Sequence, residues 1–186
     1  MNFLKRFCFK TLKYDLNNKF LYKNTKELPK LKKIVLNFGC QPNNLKQLSA
    51  SMLALELIIG QKSKLTKTKY SNTFFGVRKG NPTGCKITIQ KNKMFNVLNT
   101  MLTKVFVNEK NFNGFTLSQK NIFLYSIQNI FSFYMLKKHY YLFNDLSKLQ
   151  ITIIANTKTK KEFKFFLSSL NFLFKPQSKY NSIGRV

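Results

Sequence analysis

Carboxylates, histidines and thiols do most covalent and acid–base chemistry in proteins, and this chain offers few of them. Its 186 residues hold 6 Asp+Glu, 1 His and 3 Cys. Asp15, Glu27, Glu56, Glu109, Asp145 and Glu162 are scattered along the sequence. They form no carboxylate pair for general acid–base work and no acidic cluster for metal-assisted hydrolysis. Glu162 follows Thr159 by three residues, the signature of a capping box, and Glu56 falls in a helix pattern with a structural look. His139 follows Lys137 and Lys138 and reads as an exposed member of a basic cluster, not a base. Cys8, Cys40 and Cys85 form no CxxC pair and make a poor zinc set with one histidine. Cys40 and Cys85 are expected as reduced, mostly buried side chains. The segment Gly76 to Gly80 lacks the spaced glycines and the lysine–serine/threonine ending of a nucleotide-phosphate loop. The sequence points away from an enzyme, with no cofactor and no metal.

The chemistry that remains is that of cations. The chain carries 33 Lys+Arg, a formal net charge of +27. No Asp or Glu occurs between Leu57 and Asn108, whereas Lys62, Lys64, Lys67, Lys69, Arg78, Lys79, Lys86, Lys91 and Lys93 do. Such an imbalance favours a polyphosphate partner, which neutralises the surface and releases condensed counterions. Phe, Tyr, Lys, Asn and Ile share AT-rich codons, so genome bias accounts for part of the lysine content. It does not account for the scarcity of acids. A glycine-rich basic loop stands out between Tyr70 and Pro82. There Gly76 and Gly80 allow close backbone approach, Arg78 and Lys79 reach phosphates, and Phe74 or Phe75 stacks or anchors. Composition alone permits RNA or DNA, but no helix-turn-helix, zinc-finger or zipper pattern favours DNA.

These residues need a scaffold, and 44% hydrophobic content is enough to build one. About residues 2–22 read as one or two basic helices with Phe3, Phe7, Leu12, Leu16 and Phe20 as an apolar stripe. The same stretch also fits an organelle-targeting presequence, and the two readings stay open. Leu31–Phe38 alternates like a strand and ends at Gly39 and Pro42. Asn43 or Asn44 caps a helix running to Ile59, with Leu45, Leu48, Met52, Leu55 and Ile59 on one face and Gly60 closing it. Gln61 to Gly84 is a long basic loop or a hairpin with an extended tip. In the strand that follows, Cys85, Ile87 and Ile89 face the core. Lys86, Thr88 and Gln90 face outward, where they can contact phosphate and sugar, as can Lys62 and Lys64 nearby. Lys93–Phe106 is expected as a helix, and Asn111–Leu146 as a loop followed by one or two strands or a short helix. Ile151–Ala155 is a strand. A helix then runs from the capping box to about Asn171, burying Phe163, Phe166, Leu167 and Leu170. No apolar run is long enough to span a membrane. The expected architecture is α+β: a mainly antiparallel sheet with helices packed on one face, a basic N-terminal helix and a long basic loop. The expected divisions are a helical segment 1–28, an RNA-binding domain 29–175 and a tail 176–186.

Four blocks resemble one family. They are Leu28–Gly39, Ile58–Lys62, Arg78–Thr88, and Ile151–Ile153 with Thr157–Thr159 before the last helix. In this order and spacing, over roughly residues 20–175, the chain resembles the bacterial-type fifth protein of the large ribosomal subunit, which binds 5S ribosomal RNA. The resemblance implies an RNA-binding α+β fold in the central protuberance, joining 5S RNA to large-subunit RNA beside neighbouring ribosomal proteins. It further implies contact with a head protein of the small subunit and a loop aimed at P-site transfer RNA. By the same resemblance Lys30, Lys32, Lys33 and Asn37 fall in the 5S-facing region, although Asn37 also suits a strand end. Tyr70 to Pro82, with Phe74, Gly76, Arg78, Lys79 and Gly80, corresponds to the transfer-RNA loop. The chain departs from the family between Gln119 and Leu136, where a Phe-Pro-Glu-Ile-like stretch is expected and neither Pro nor Glu occurs. AT-driven composition with bacterial-type motifs implies an organellar, mitochondrial ribosome. The alternative on the same residues is an RNA-binding assembly factor outside the mature particle. A membrane-surface protein ranks below both.

Overall fold

The computed structural model describes residues 3–41, 44–109, 114–115, 117 and 119–175. The expected tail 176–186, the strand-ending Pro42 and the alternative cap Asn43 lie outside them. Five strands form one antiparallel sheet, β1 (Leu31–Gly39), β2 (Lys64–Lys67), β3 (Pro82–Ile89), β4 (Ile122–Ile127) and β5 (Leu149–Ala155), in the order β2-β3-β1-β5-β4. Strict alternation builds it. Ile34, Leu36 and Phe38 of β1 are buried, as are Cys85, Ile87 and Ile89 of β3 and Leu149, Ile151, Ile153 and Ala155 of β5. A pleat of period two sends the intervening residues to the opposite face.

Among the described residues, helices cover only the apolar face. α3 (Leu45–Ile59) packs on β3, and α4 (Lys91–Thr100) on β1. α7 (Lys160–Ser169) buries Phe163, Phe166 and Leu167 in the same core, and Leu170 follows them. Local chemistry sets the helix ends. The Asn44 side chain accepts from the Gln47 N–H at the start of α3, and Gly60 closes it at φ +68. Thr159 and Glu162 form both halves of the capping box on α7.

The N-terminal segment is helical as expected, in two pieces: α1 (Phe3–Phe7) and α2 (Lys13–Phe20), joined by a π-helical turn over Cys8–Leu12. That wider turn shifts the helix phase. Leu4, Leu12 and Leu16 are buried, Phe7 and Phe20 pack partly buried against the core, and of the expected stripe only Phe3, 76% exposed, stands apart. α4 begins two residues earlier than expected and continues into a second π-helical turn, Met101–Val105. The stretch 111–146, expected as a loop followed by one or two strands or a short helix, holds β4, α5 (Tyr134–Lys137) and α6 (Tyr140–Phe143) among its described residues. Its aromatics form a cluster, not a stripe. Phe115 meets Phe106, Phe123 and Tyr125 edge-on at 4.9–5.0 Å between ring centres, and Phe172 lies beside them.

Candidate nucleic-acid interface

The uncovered face of the sheet is assembled by the strand register. Lys64 pairs with Lys86, Lys86 with Asn37, Asn37 with Gln150 and Gln150 with Ser126. Partners across a ladder share a face, so one polar row crosses all five strands. A second row runs through Thr88, Val35, Thr152 and Leu124, and Lys33 lies one pleat further along β1. Asn37 Nδ2 donates to Gln150 Oε1 at 3.3 Å, which ties the centre of the first row together. None of the five strands contains Asp or Glu. The face therefore presents ammonium groups, amides and hydroxyls to solvent with no carboxylate on its strands to compete for them.

Four of the six carboxylates are bound to other parts of the protein. Glu27 pairs with Lys158 at 3.0 Å. Buried Glu162 accepts from the Tyr22 hydroxyl and from the Lys158 N–H at 2.8 Å, and Glu109 accepts from the Tyr125 hydroxyl. Burial first, then the adjoining carboxylate, raises the Tyr22 and Tyr125 hydroxyls above the ordinary tyrosine value, so both remain donors. Glu56 Oε1 accepts from the Ser63 N–H at 3.0 Å and the Ser63 hydroxyl at 3.1 Å, fastening the end of α3 to the approach to β2. Those two donors, the N–H foremost, hold the Glu56 carboxyl below the usual value of 4.5 against an opposing desolvation effect, with Lys62 adding to the depression. A depressed folded-state value means stability present above pH 4.5 and lost as pH falls through the lower value. Urea midpoints taken from pH 7 downward should therefore fall more for the native chain than for Glu56→Gln, and parallel curves would refute this tie.

The structure divides the site residues expected from sequence among four places. Lys33, Asn37, Lys64, Lys86 and Thr88 share the open sheet face. Lys30 and Lys32 do not join them; both line a groove beside the N-terminal helices. The irregularity between Leu31 and Lys33 in the β1–β5 register separates Lys32 from its neighbour. Lys62 is exposed in the turn after α3. The basic loop is a hairpin extension. Thr68 and Asn81 close its base, the Asn72 and Val77 backbones bond reciprocally at 2.8 and 3.0 Å, and Gly76 and Gly80 turn at φ +62 and +90. At its tip Phe74 is 88% exposed, and Tyr70, Arg78 and Lys79 are exposed on its flanks. Pro82 lies at the base as the first residue of β3, opposite Lys67. Gln150, Thr152 and Ser126 were missed. Alternation along β5 marks the first two as outward, but only the strand order places them in the same rows as Asn37 and Val35.

His139 is exposed, and the described residues include no group of three or more His, Cys, Asp or Glu able to hold a metal. Burial pushes the Cys8 and Cys85 thiols up to about 11, which leaves them protonated at neutral pH. All three cysteines are free, Cys85 buried and Cys40 partly so. No helix among the described residues is long and apolar enough to cross a membrane.

An antiparallel sheet covered by helices on one side, with an acid-free cationic face on the other, defines a nucleic-acid-binding α+β protein. Sequence comparison gives the family. The chain is 34% identical over 173 residues to the large ribosomal subunit protein uL5m of Reclinomonas americana, covering 90% of this chain and 95% of that protein. It is 34% identical over 165 residues to uL5 of Wolbachia pipientis subsp. Culex pipiens (strain wPip), covering 86% and 92%. It is 33% identical over 166 residues to uL5 of Ehrlichia ruminantium (strain Welgevonden), with the same coverage. No protein-family model matches the chain. The chain belongs to the uL5 family of large-ribosomal-subunit proteins.

Proposed function

We propose that this protein is a structural constituent of the large subunit of a mitochondrial ribosome. Its open sheet face holds large-subunit RNA and 5S RNA together in the central protuberance. The observation that carries this reading is the acid-free sheet: Lys33, Lys64 and Lys86 stand on it among amides and hydroxyls, which suits phosphate and ribose contacts. Family membership supports the particle, and the mitochondrial form among its relatives, uL5m, supports the compartment. In this reading the hairpin tip, with Tyr70, Phe74, Arg78 and Lys79, reaches P-site transfer RNA. Gly76 and Gly80 give the tip its narrow turns. Neighbouring proteins of the central protuberance meet α5 and α6, where Tyr134, Met135 and Tyr141 are more than half exposed.

Chemical footprinting of the assembled particle tests both contacts at once. The native chain should protect 5S and large-subunit RNA in the protuberance and the bound transfer RNA. With Arg78→Ala and Lys79→Ala combined, transfer-RNA protection should weaken about tenfold or more while ribosomal-RNA protection persists, as expected for loss of two charge-assisted phosphate contacts. Protection confined to RNA outside the protuberance would refute the placement. Unchanged transfer-RNA protection in the variant would refute the role of the hairpin.

A further inference from the structure

The sheet face leaves unused a second cationic feature, the groove between the N-terminal helices and the body. Its volume is about 810 Å³. That lies within the roughly 300–1,000 Å³ typical of small-molecule sites. Three separate parts of the chain supply its cations: Lys5 and Lys13 from α1 and α2, Lys26, Lys30 and Lys32 from the approach to β1 and its first residues, and Lys91 from α4. No carboxylate lines it. Its floor is apolar, formed by Leu12, Leu28, Met94 and Phe95, and its wall carries Phe9, 57% exposed. Lys5 Nζ donates to Asn92 Oδ1 at 2.8 Å, linking the α1 side of the groove to the α4 side. The ammonium retains two further donors, and the Asn92 amide keeps its N–H groups for a base edge.

We infer that this groove receives a single unpaired nucleotide extruded from bound RNA, its base against Phe9 and its flanking phosphates among the surrounding lysines. The inference rests on the RNA-binding reading above and adds a site separate from the sheet. Cations alone would suit any phosphate, but an apolar floor beside an exposed aromatic ring suits a flat, uncharged base between two charged linkages. An acidic peptide would satisfy the lysines and leave the ring without a planar partner. A duplex is too wide to lower a base into the groove without unpairing it. The expectation is therefore a preference for single strands, bulges or loops at this site, whereas the flat sheet accepts paired RNA.

The test uses the full chain and a single-stranded RNA heptamer with 2-aminopurine at its centre, alongside the same strand in a perfect duplex. Stacking quenches this fluorophore, so the single strand should be quenched on binding and the duplex should bind without further quenching. Phe9→Ala should abolish the quench and weaken single-strand binding about tenfold, the scale of one base–aromatic stack. Duplex affinity should stay unchanged and Phe9→Tyr should restore both signals. Phe9 is more than half exposed, so the variant is expected to fold, and unchanged far-ultraviolet dichroism checks this. RNA binding that shows no quench and no dependence on Phe9 would overturn the groove while leaving the sheet reading intact. Displacement of the heptamer by an oligoglutamate peptide, with the quench equal in Phe9→Ala, would overturn it in favour of a peptide site. Absence of affinity for either RNA would overturn both.

Discussion

Replacing Gly84 by alanine should destabilise the protein by about 3 kcal/mol or more, an unusually large effect for one methyl group. A Cβ built at this position would lie 2.3 Å from the Phe38 carbonyl oxygen and 3.0 Å from Thr66 Oγ1. The first obstacle is backbone in the central strand β1, and it cannot rotate aside as a flexible side chain would. Relief requires β3 to move away from β1 where Gly84 pairs with Gly39 and Thr66 pairs with Gly84. For a chain of this length, 1 kcal/mol shifts the thermal midpoint by about 2–4 °C, so a fall of roughly 6–12 °C is expected. Gly39→Ala is the matched control: among the described residues beyond its chain neighbours no atom lies within 4 Å of its added Cβ, and its backbone is not left-handed. It should leave the midpoint almost unchanged. The functional consequence follows from register. Moving β3 also displaces Lys86 relative to Lys64 and Asn37, so RNA affinity should fall with stability in Gly84→Ala. A midpoint within two degrees of the native value would contradict this account.

Gly84 also illustrates the limits of a linear reading. Its neighbours Cys85, Ile87 and Ile89 announce a strand by alternation alone, as do Ile34, Leu36 and Phe38. Asn44, Gly60 and the Thr159–Glu162 pair announce helix ends because capping is chemistry between residues a few positions apart. The reason for glycine at 84 is a contact with residue 38, and no local signal carries it. The same holds for the interface. Lys30, Lys32 and Lys33 form one cluster in sequence, but an irregular register and the pleat divide them between a groove and a sheet face. Gln150 and Ser126 complete a row that exists only once β5 and β4 are known to follow β1. Phe106, Phe115 and Phe172 share no single period, because they come from separate parts of the chain and converge on one another and on Tyr125. A cluster of that kind has no period to detect.

Neutralising the sheet lysines should produce the larger functional effect and move stability the other way. Lys64 and Lys86 face each other directly across β2 and β3, a like-charge pair that disfavours the folded sheet. Changing Lys33, Lys64 and Lys86 together to Gln keeps an unbranched-stem polar side chain, slightly shorter, and removes the repulsion, so the thermal midpoint should hold or rise slightly. RNA affinity should nevertheless fall a few hundredfold near 0.1 M salt. Each phosphate contact contributes roughly 0.7–0.9 to the slope of log affinity against log salt, so three lost contacts should make that line shallower by about two to three. Lowering net charge by three anywhere on so basic a protein weakens long-range attraction somewhat. The necessary comparison is Lys46, Lys137 and Lys160 changed to Gln, an equal charge change on α3, α5 and α7. If phosphates lie against the sheet, this second variant should retain nearly the native slope. Equal slopes and equal affinities for the two triple variants would mean that diffuse charge, not the row across the strands, holds the RNA. A fall in affinity with a steeply lowered midpoint would instead indicate damage to the sheet. Only lost affinity with retained stability is the behaviour of a surface built to be neutralised by its partner.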